Sequence, residues 1–148
     1  MADVEAFWRR FVAATGIDGP YTAWGFGSSP EMATELGLLA RDGPKRATAS
    51  LQADYGDVEP LPAAGDLSVI LDGDGEPLCV IRTTDVEVRA FGDVDEEFAW
   101  TEGEGDRSLA YWRDAHLRFF AGYGAVVEES SPVVLARFDL VWDGRDEA

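Results

Sequence analysis

The chain has one lysine, one histidine and one cysteine, and each scarcity closes off a class of function. Cys79, alone, allows neither an internal disulfide nor a cysteine-cluster zinc site. With no second histidine beside His116 and no suitably placed Cys, neither a typical zinc site nor a Cys-His dyad is expected. No apolar run approaches the roughly 18 residues that cross a bilayer, so no membrane partner is expected. The first residues, MADVEAFWRR, have neither a basic n-region nor an apolar h-region, and the protein is expected to be cytoplasmic. Basic residues are scarce as well: 12 stand against 29 acidic ones, a formal net charge of −17. Neutralising phosphates takes Lys and Arg, so long, nonspecific nucleic acid is disfavoured as a partner. The acidity reads as solubility or a proteome-wide bias, with a functional acidic surface the alternative, and it leaves room for a small local positive pocket. There is no glycine-rich phosphate loop of the P-loop or Rossmann kind.

What is present describes a folded domain. The 148 residues are 46% hydrophobic and 11% aromatic, enough for a core, and they predict one domain over residues 1–148. Val4, Phe7, Trp8, Phe11 and Val12 fall on one helical stripe, predicting a helix over 3–15 that Gly16 ends. GIDGPYTAWGFGSSP reads as a loop. Ser29-Pro30 is an N-cap and first-turn pair, opening a helix over 30–42 with Gly43 as its C′ residue. Strands follow at 47–52, 67–71 and 78–83, the last two flanking the hairpin signal DGDGEP, with Val86 and Val88 continuing the alternation. Asp93 with Glu96 predicts a capped short helix through Trp100. Asp106 or Ser108 caps a longer one carrying Leu109, Trp112, Leu117 and Phe120, and a strand over 133–142 closes the chain. The sum is an α+β fold, a small, mostly antiparallel β-barrel with flanking helices.

Two stretches could carry chemistry. GPKRATASL, residues 43–51, holds Lys45, the only lysine beside eleven arginines. An amine can give up its proton when desolvated and a guanidinium cannot, so a lone Lys where a helix passes into a strand points to a needed amine. A solvated surface Lys is the bland alternative. Thr48 and Ser50 share one face of the strand that follows. The second stretch, EGEGDRS, residues 102–108, alternates carboxylates with glycines ahead of a helix. It is either an acidic helix start or a flexible loop that carries one carboxylate to a pocket. It is too short for an EF-hand. His116 reads as a structural helical histidine. Tyr21, Trp24 and Phe26 form either a stacking platform for a base or core.

The chain resembles the ASCH-domain family of the PUA-like superfamily. The resemblance is carried by WGFGSSPEMATEL (24–36), GPKRATASL (43–51), PLPAAGDLSVILDGDGEPLCVIRTTDVEV (60–88) and FAWTEGEGDRSLAYWRDAH (98–116). It implies a PUA-like barrel whose cleft faces RNA or a modified nucleoside. One branch resembles an amidohydrolase that removes acetyl from N4-acetylcytidine with a Lys, a Thr three residues on, and a Glu. Carried over, Lys45 is the base, Thr48 the nucleophile and Glu104 the acidic partner, with Glu102 the alternative. Trp24, Phe26, Ser50, Arg82, Glu102, Ser108 and Tyr111 are the expected substrate contacts, Arg82 steadying the oxyanion and Trp24 or Tyr111 stacking on the base. No cofactor is expected. A divalent metal enters only if the protein resembles the family's metal-dependent ribonucleases, with Glu102, Glu104 and Asp106 as ligands. A non-catalytic binding module for RNA or a modified nucleotide is the other alternative. One departure stands out: the family's pattern has an arginine four residues after the Lys, and here that position is Ala49, leaving Arg46 or Arg82 to supply the charge.

Overall fold

A computed structural model describes residues 3–27, 29–56, 60–122 and 124–145. The sheet has five strands: β1 (Thr22–Trp24), β2 (Ala47–Leu51), β3 (Leu67–Leu71), β4 (Pro77–Ala90) and β5 (Pro132–Trp142). Their order is β1-β3-β4-β5-β2. The pair β1–β3 is parallel, and every other pair is antiparallel. The sheet curls into a PUA-like half-barrel. Four helices flank it: α1 (Val4–Thr15), α2 (Pro30–Asp42), α3 (Glu96–Glu102) and α4 (Leu109–Gly122).

Alternation along the strands sends neighbouring residues to opposite faces, and each face finds a helix. Leu67, Val69 and Val80 meet Phe7, Trp8 and Phe11 of α1. Ile70, Cys79, Ile81 and Phe138, from the opposite face, meet Ala40 and Leu36 of α2. At the other end, Ala47, Leu51, Val133 and Leu135 pack with Phe98 and Ala99 of α3 and Trp112 and Phe120 of α4.

Ser29 caps α2 as its sequence predicts, its side chain accepting from the Met32 amide with Pro30 in the first turn. The hairpin at DGDGEP also forms, with the Asp72 side chain accepting from the amides of Asp74 and Glu76. Several boundaries differ from expectation. The loop GIDGPYTAWGFGSSP contains β1, which pairs with β3 through three residues. The cap of α3 is Asp95, which accepts from Phe98; Asp93 belongs to a 3₁₀ turn, Phe91–Asp93. Strand β4 runs on to Ala90 by absorbing register shifts near Val80 and Thr83. Gly43 closes α2 in an extended conformation rather than a left-handed one. It is glycine because a Cβ there would sit 2.9 Å from the Leu39 carbonyl oxygen. Ser108 caps α4 by accepting from Tyr111, while Asp106 accepts from Ser108. On α4 it is His116, not Leu117, that turns inward with Trp112 and Phe120.

Candidate functional site

The stretch after α2 is pinned on both sides. The Arg46 amide donates to the Thr101 carbonyl near the end of α3, and the Arg46 carbonyl accepts from Phe138 of β5. This seats Lys45 against the α3 terminus, where Glu102 and Glu104 project. Gly103 makes the approach possible. It lies at φ 75°, and a Cβ on it would come within 2.9 Å of the Lys45 backbone. Gly105 repeats the device at φ 58° under the Tyr111 ring. The glycines of EGEG thus let two carboxylates converge on one amine.

Lys45 is 1% exposed. Its Nζ donates to the Ala47 carbonyl at 2.8 Å and to Glu104 Oε2 at 2.7 Å, lies 3.6 Å from Glu102 Oε1, and sits 5.0 Å from the centre of the Phe26 ring. A compact amine with three donors fits this enclosure, where a planar guanidinium fork would not.

Glu102, also 1% exposed, is held from its far side. Its Oε2 accepts from Trp112 Nε1, and its Oε1 lies 3.0 Å from His116 Nε2. His116 Nδ1 is 2.8 Å from the Trp112 carbonyl. A carbonyl and an ionised carboxylate only accept, so this arrangement favours a proton on both ring nitrogens, the imidazolium form. The ring also stacks on Trp112, with centroids 4.2 Å apart.

The titrations follow from this arrangement. Burial opposes ionisation of Glu102, but the charges of His116 and Lys45 and the His116 hydrogen bond outweigh it and hold the carboxyl well below the usual range. Burial and the charge of Glu102 push Glu104 up, against the pull of Lys45. For His116, burial disfavours the charge, but Glu102's charge and hydrogen bond prevail and raise it.

Two adjoining cavities open here. The smaller, about 240 Å³, is lined by Lys45, Thr48, Glu102, Glu104, Tyr111 and His116, with Phe26 and Phe119 among its apolar walls. The larger, about 660 Å³, is built from all five strands and the segment Pro60–Pro62. The edge strands β1 and β2 face each other across it, through Thr22–Trp24 on one side and Thr48 and Ser50 on the other. Phe26, Gly27 and Thr48 line both cavities.

Most of the expected site residues therefore meet. Lys45, Thr48, Glu102, Glu104, Phe26 and Tyr111 share the smaller cavity; Trp24 and Ser50 line the larger. Arg82 and Ser108 do not join them. On β4, Ile81 and Thr83 face the larger cavity, and Arg82, between them, points to the opposite face. Ser108 caps α4 and lines a separate depression beside Trp100. Arg46 donates to the Ala40 and Lys45 carbonyls and does not replace the arginine missing at Ala49. Tyr21 stacks on Trp8 in the core. Asp106 is exposed and lines neither cavity, and among the described residues no group of three or more His, Cys, Asp or Glu side chains is placed to hold a metal. The site residue that sequence reasoning sets aside is His116. Its spacing from Trp112, one helical turn, places both on the face turned to Glu102 and is the signal available.

A curled five-stranded half-barrel flanked by four helices is a PUA-like domain. The ASCH-domain family model matches residues 22–142, and the chain belongs to that family. Two solved structures resemble it over nearly their whole length. Protein EF3133 from Enterococcus faecalis V583, assigned to family DUF984, is 38% identical with a TM-score of 0.82, the match covering 95% of this chain and 89% of that one. An ASCH domain from Lactobacillus crispatus JV V101 is 31% identical with a TM-score of 0.83, covering 93% of each chain. Hypothetical protein PH0355, at 15% identity and TM-score 0.56, shares the fold alone, over 82% of this chain and all of that one. Among curated proteins nothing matches significantly.

Proposed function

We propose that the protein is a small-cleft amidohydrolase acting on an N-acylated nucleoside, with Lys45, Thr48 and Glu104 as its reacting groups. One observation carries the reading: these three side chains, two from the α2–β2 segment and one from the loop after α3, line a single cavity, with Lys45 Nζ in contact with Glu104.

The resting contact has Nζ offering protons to a carbonyl and a carboxylate, which is not the posture of a base. The Glu104 carboxyl, pushed up by burial and by Glu102, is an able proton acceptor. Transfer of one proton from Nζ to Glu104 leaves a neutral amine beside a neutral acid. The amine then takes the Thr48 hydroxyl proton as Oγ1 adds to the acyl carbon. Glu104 returns its proton to the leaving nitrogen as the C–N bond breaks. A second proton transfer from Nζ to Glu104 restores the neutral amine, which deprotonates the water that attacks the Thr48 ester, and Glu104 gives its proton to Thr48 Oγ1 as the acid leaves. Phe26 and Tyr111 supply aromatic faces for the base.

The Lys45–Glu104 ion pair favours a second reading, in which Lys45 is an electrostatic fixture and the cleft binds a modified nucleoside or short RNA without turnover. Incubation with N4-acetylcytidine, with and without EDTA, separates the two. The amidohydrolase reading expects cytidine release that is independent of EDTA and lost in both Lys45→Ala and Thr48→Ala. Release that persists in Thr48→Ala overturns it. Saturable nucleoside binding with no release assigns the cleft to the binding module.

A further inference from the structure

The two cavities differ in chemistry, and Thr48 stands at their junction. The smaller holds Lys45, Glu102, Glu104 and His116. The larger, among the described residues, has no Lys, Arg or His on its walls and one acidic side chain, Asp66, whose Oδ2 accepts from the Ala63 amide. Its hydroxyls are largely engaged with one another: Ser50 Oγ with the Tyr55 hydroxyl at 2.7 Å, and Thr22 Oγ1 with Ser68 Oγ at 3.5 Å. Trp24, Leu61, Ile81 and Phe138 supply apolar wall. Such a space rewards burial of apolar surface and, with no cation on its walls, offers little to a phosphate.

We propose that the larger cavity is an acyl-chain subsite and that the natural substrate carries an apolar acyl group longer than acetyl. This rests on the amidohydrolase reading and extends it. When Thr48 Oγ1 bonds to the acyl carbon and the C–N bond breaks, the nitrogen must receive its proton from Glu104, which lines the smaller cavity and not the larger. The leaving amine and its base therefore lie on that side. The acyl substituent leaves the carbonyl carbon in the opposite direction, across Thr48, into the larger cavity. An acetyl group leaves most of about 660 Å³ unfilled.

The test is a series of N4-acetyl-, N4-butyryl-, N4-hexanoyl- and N4-benzoylcytidine, read as kcat/KM. Each methylene seated in an apolar pocket is worth about 10-fold or more, so butyryl, with two more than acetyl, is expected to exceed it by about 100-fold or more. Thr83→Leu, which projects extra volume from the cavity floor, is expected to cancel the preference for long chains. Leu61→Trp, at the exposed rim, tests the same point where a floor substitution fails to fold. Turnover of acetyl with no gain for longer chains overturns the subsite and leaves the amidohydrolase standing. A chain-length preference that survives both substitutions places the acyl group elsewhere and also overturns it. No turnover of any member removes the subsite and the parent reading together.

Discussion

Replacing Glu102 with Gln removes one charge and almost no volume, and the surrounding hydrogen bonds dictate how His116 responds. The Gln carbonyl still accepts from Trp112 Nε1, and its amide can donate to His116 Nε2 only if that nitrogen has lost its proton. With both Glu102 causes gone, burial, the largest cause, is opposed only by the Glu104 charge and the Trp112 carbonyl, and the His116 pKa is expected to fall below the usual 6.5 instead of above it. The sign of its pH linkage reverses. In the natural protein the raised value gives a stabilisation fully present below pH 6.5 and lost as pH rises through the folded value. In Glu102→Gln the lowered value gives a stabilisation present above 6.5 and lost as pH falls. Each proton contributes at most about 1.4 kcal/mol per pH unit, so the two proteins' stability curves should diverge by up to that slope above neutrality. Losing Glu102 also withdraws one cause of the raised Glu104 carboxyl, which acts in a lower window, starting from its ordinary 4.5. The assay is direct, because the chain has one histidine and gives one imidazole C–H titration by NMR. Urea unfolding across about pH 5–9 reads the linkage. A natural-protein titration at or below 6.5, or an unchanged midpoint in Glu102→Gln, would refute the imidazolium assignment.

Other perturbations probe the scaffold. Gly103→Ala forces a Cβ to within 2.9 Å of the Lys45 backbone at a left-handed φ, and is expected to cost about 1–3 kcal/mol by urea unfolding; a loss under about 0.5 kcal/mol contradicts the close approach. Ser29→Ala removes the cap of α2 and should cost about 1 kcal/mol, with Ser29→Thr recovering most of it. Phe11→Ala empties a fully buried site on α1 and should cost about 3–5 kcal/mol. Burial pushes the Cys79 thiol up to about 12, so a thiol reagent at about pH 8 should react with it only in denaturant; rapid native labelling would show that β4 opens.

Local signals in the sequence locate most of the elements. Ser29-Pro30 and the stripe from Val4 to Val12 act within one helix, and DGDGEP acts within one turn, so their physics is readable in a short window. The failures are non-local. Strand β1 is three residues in a stretch rich in Gly and Pro, and only its distant partner β3, with Thr22 set against Ser68, makes it a strand. Asp93 and Asp95 both precede a helix, but Asp93 is taken up in a 3₁₀ turn and Asp95 accepts from the Phe98 amide. The site divides in the same way. Lys45, Thr48 and Glu104 are named through a motif and line one cavity, whereas Arg82 lies one step of a two-residue alternation away from the cavity that Ile81 and Thr83 line. His116 carries no signature of its own; its meaning lies in Glu102, brought to it by the turn between α3 and α4.

The burial of Lys45 has a consequence for how this protein meets amine chemistry. It is the only lysine in the chain and is 1% exposed, so the positively charged side chains presented to solvent are arginines. Acylating reagents and enzymes that tag lysine side chains find no target on the outer surface. Lys45 is reached only through the cavity that it lines, so a ligand seated there should protect this one residue from labelling.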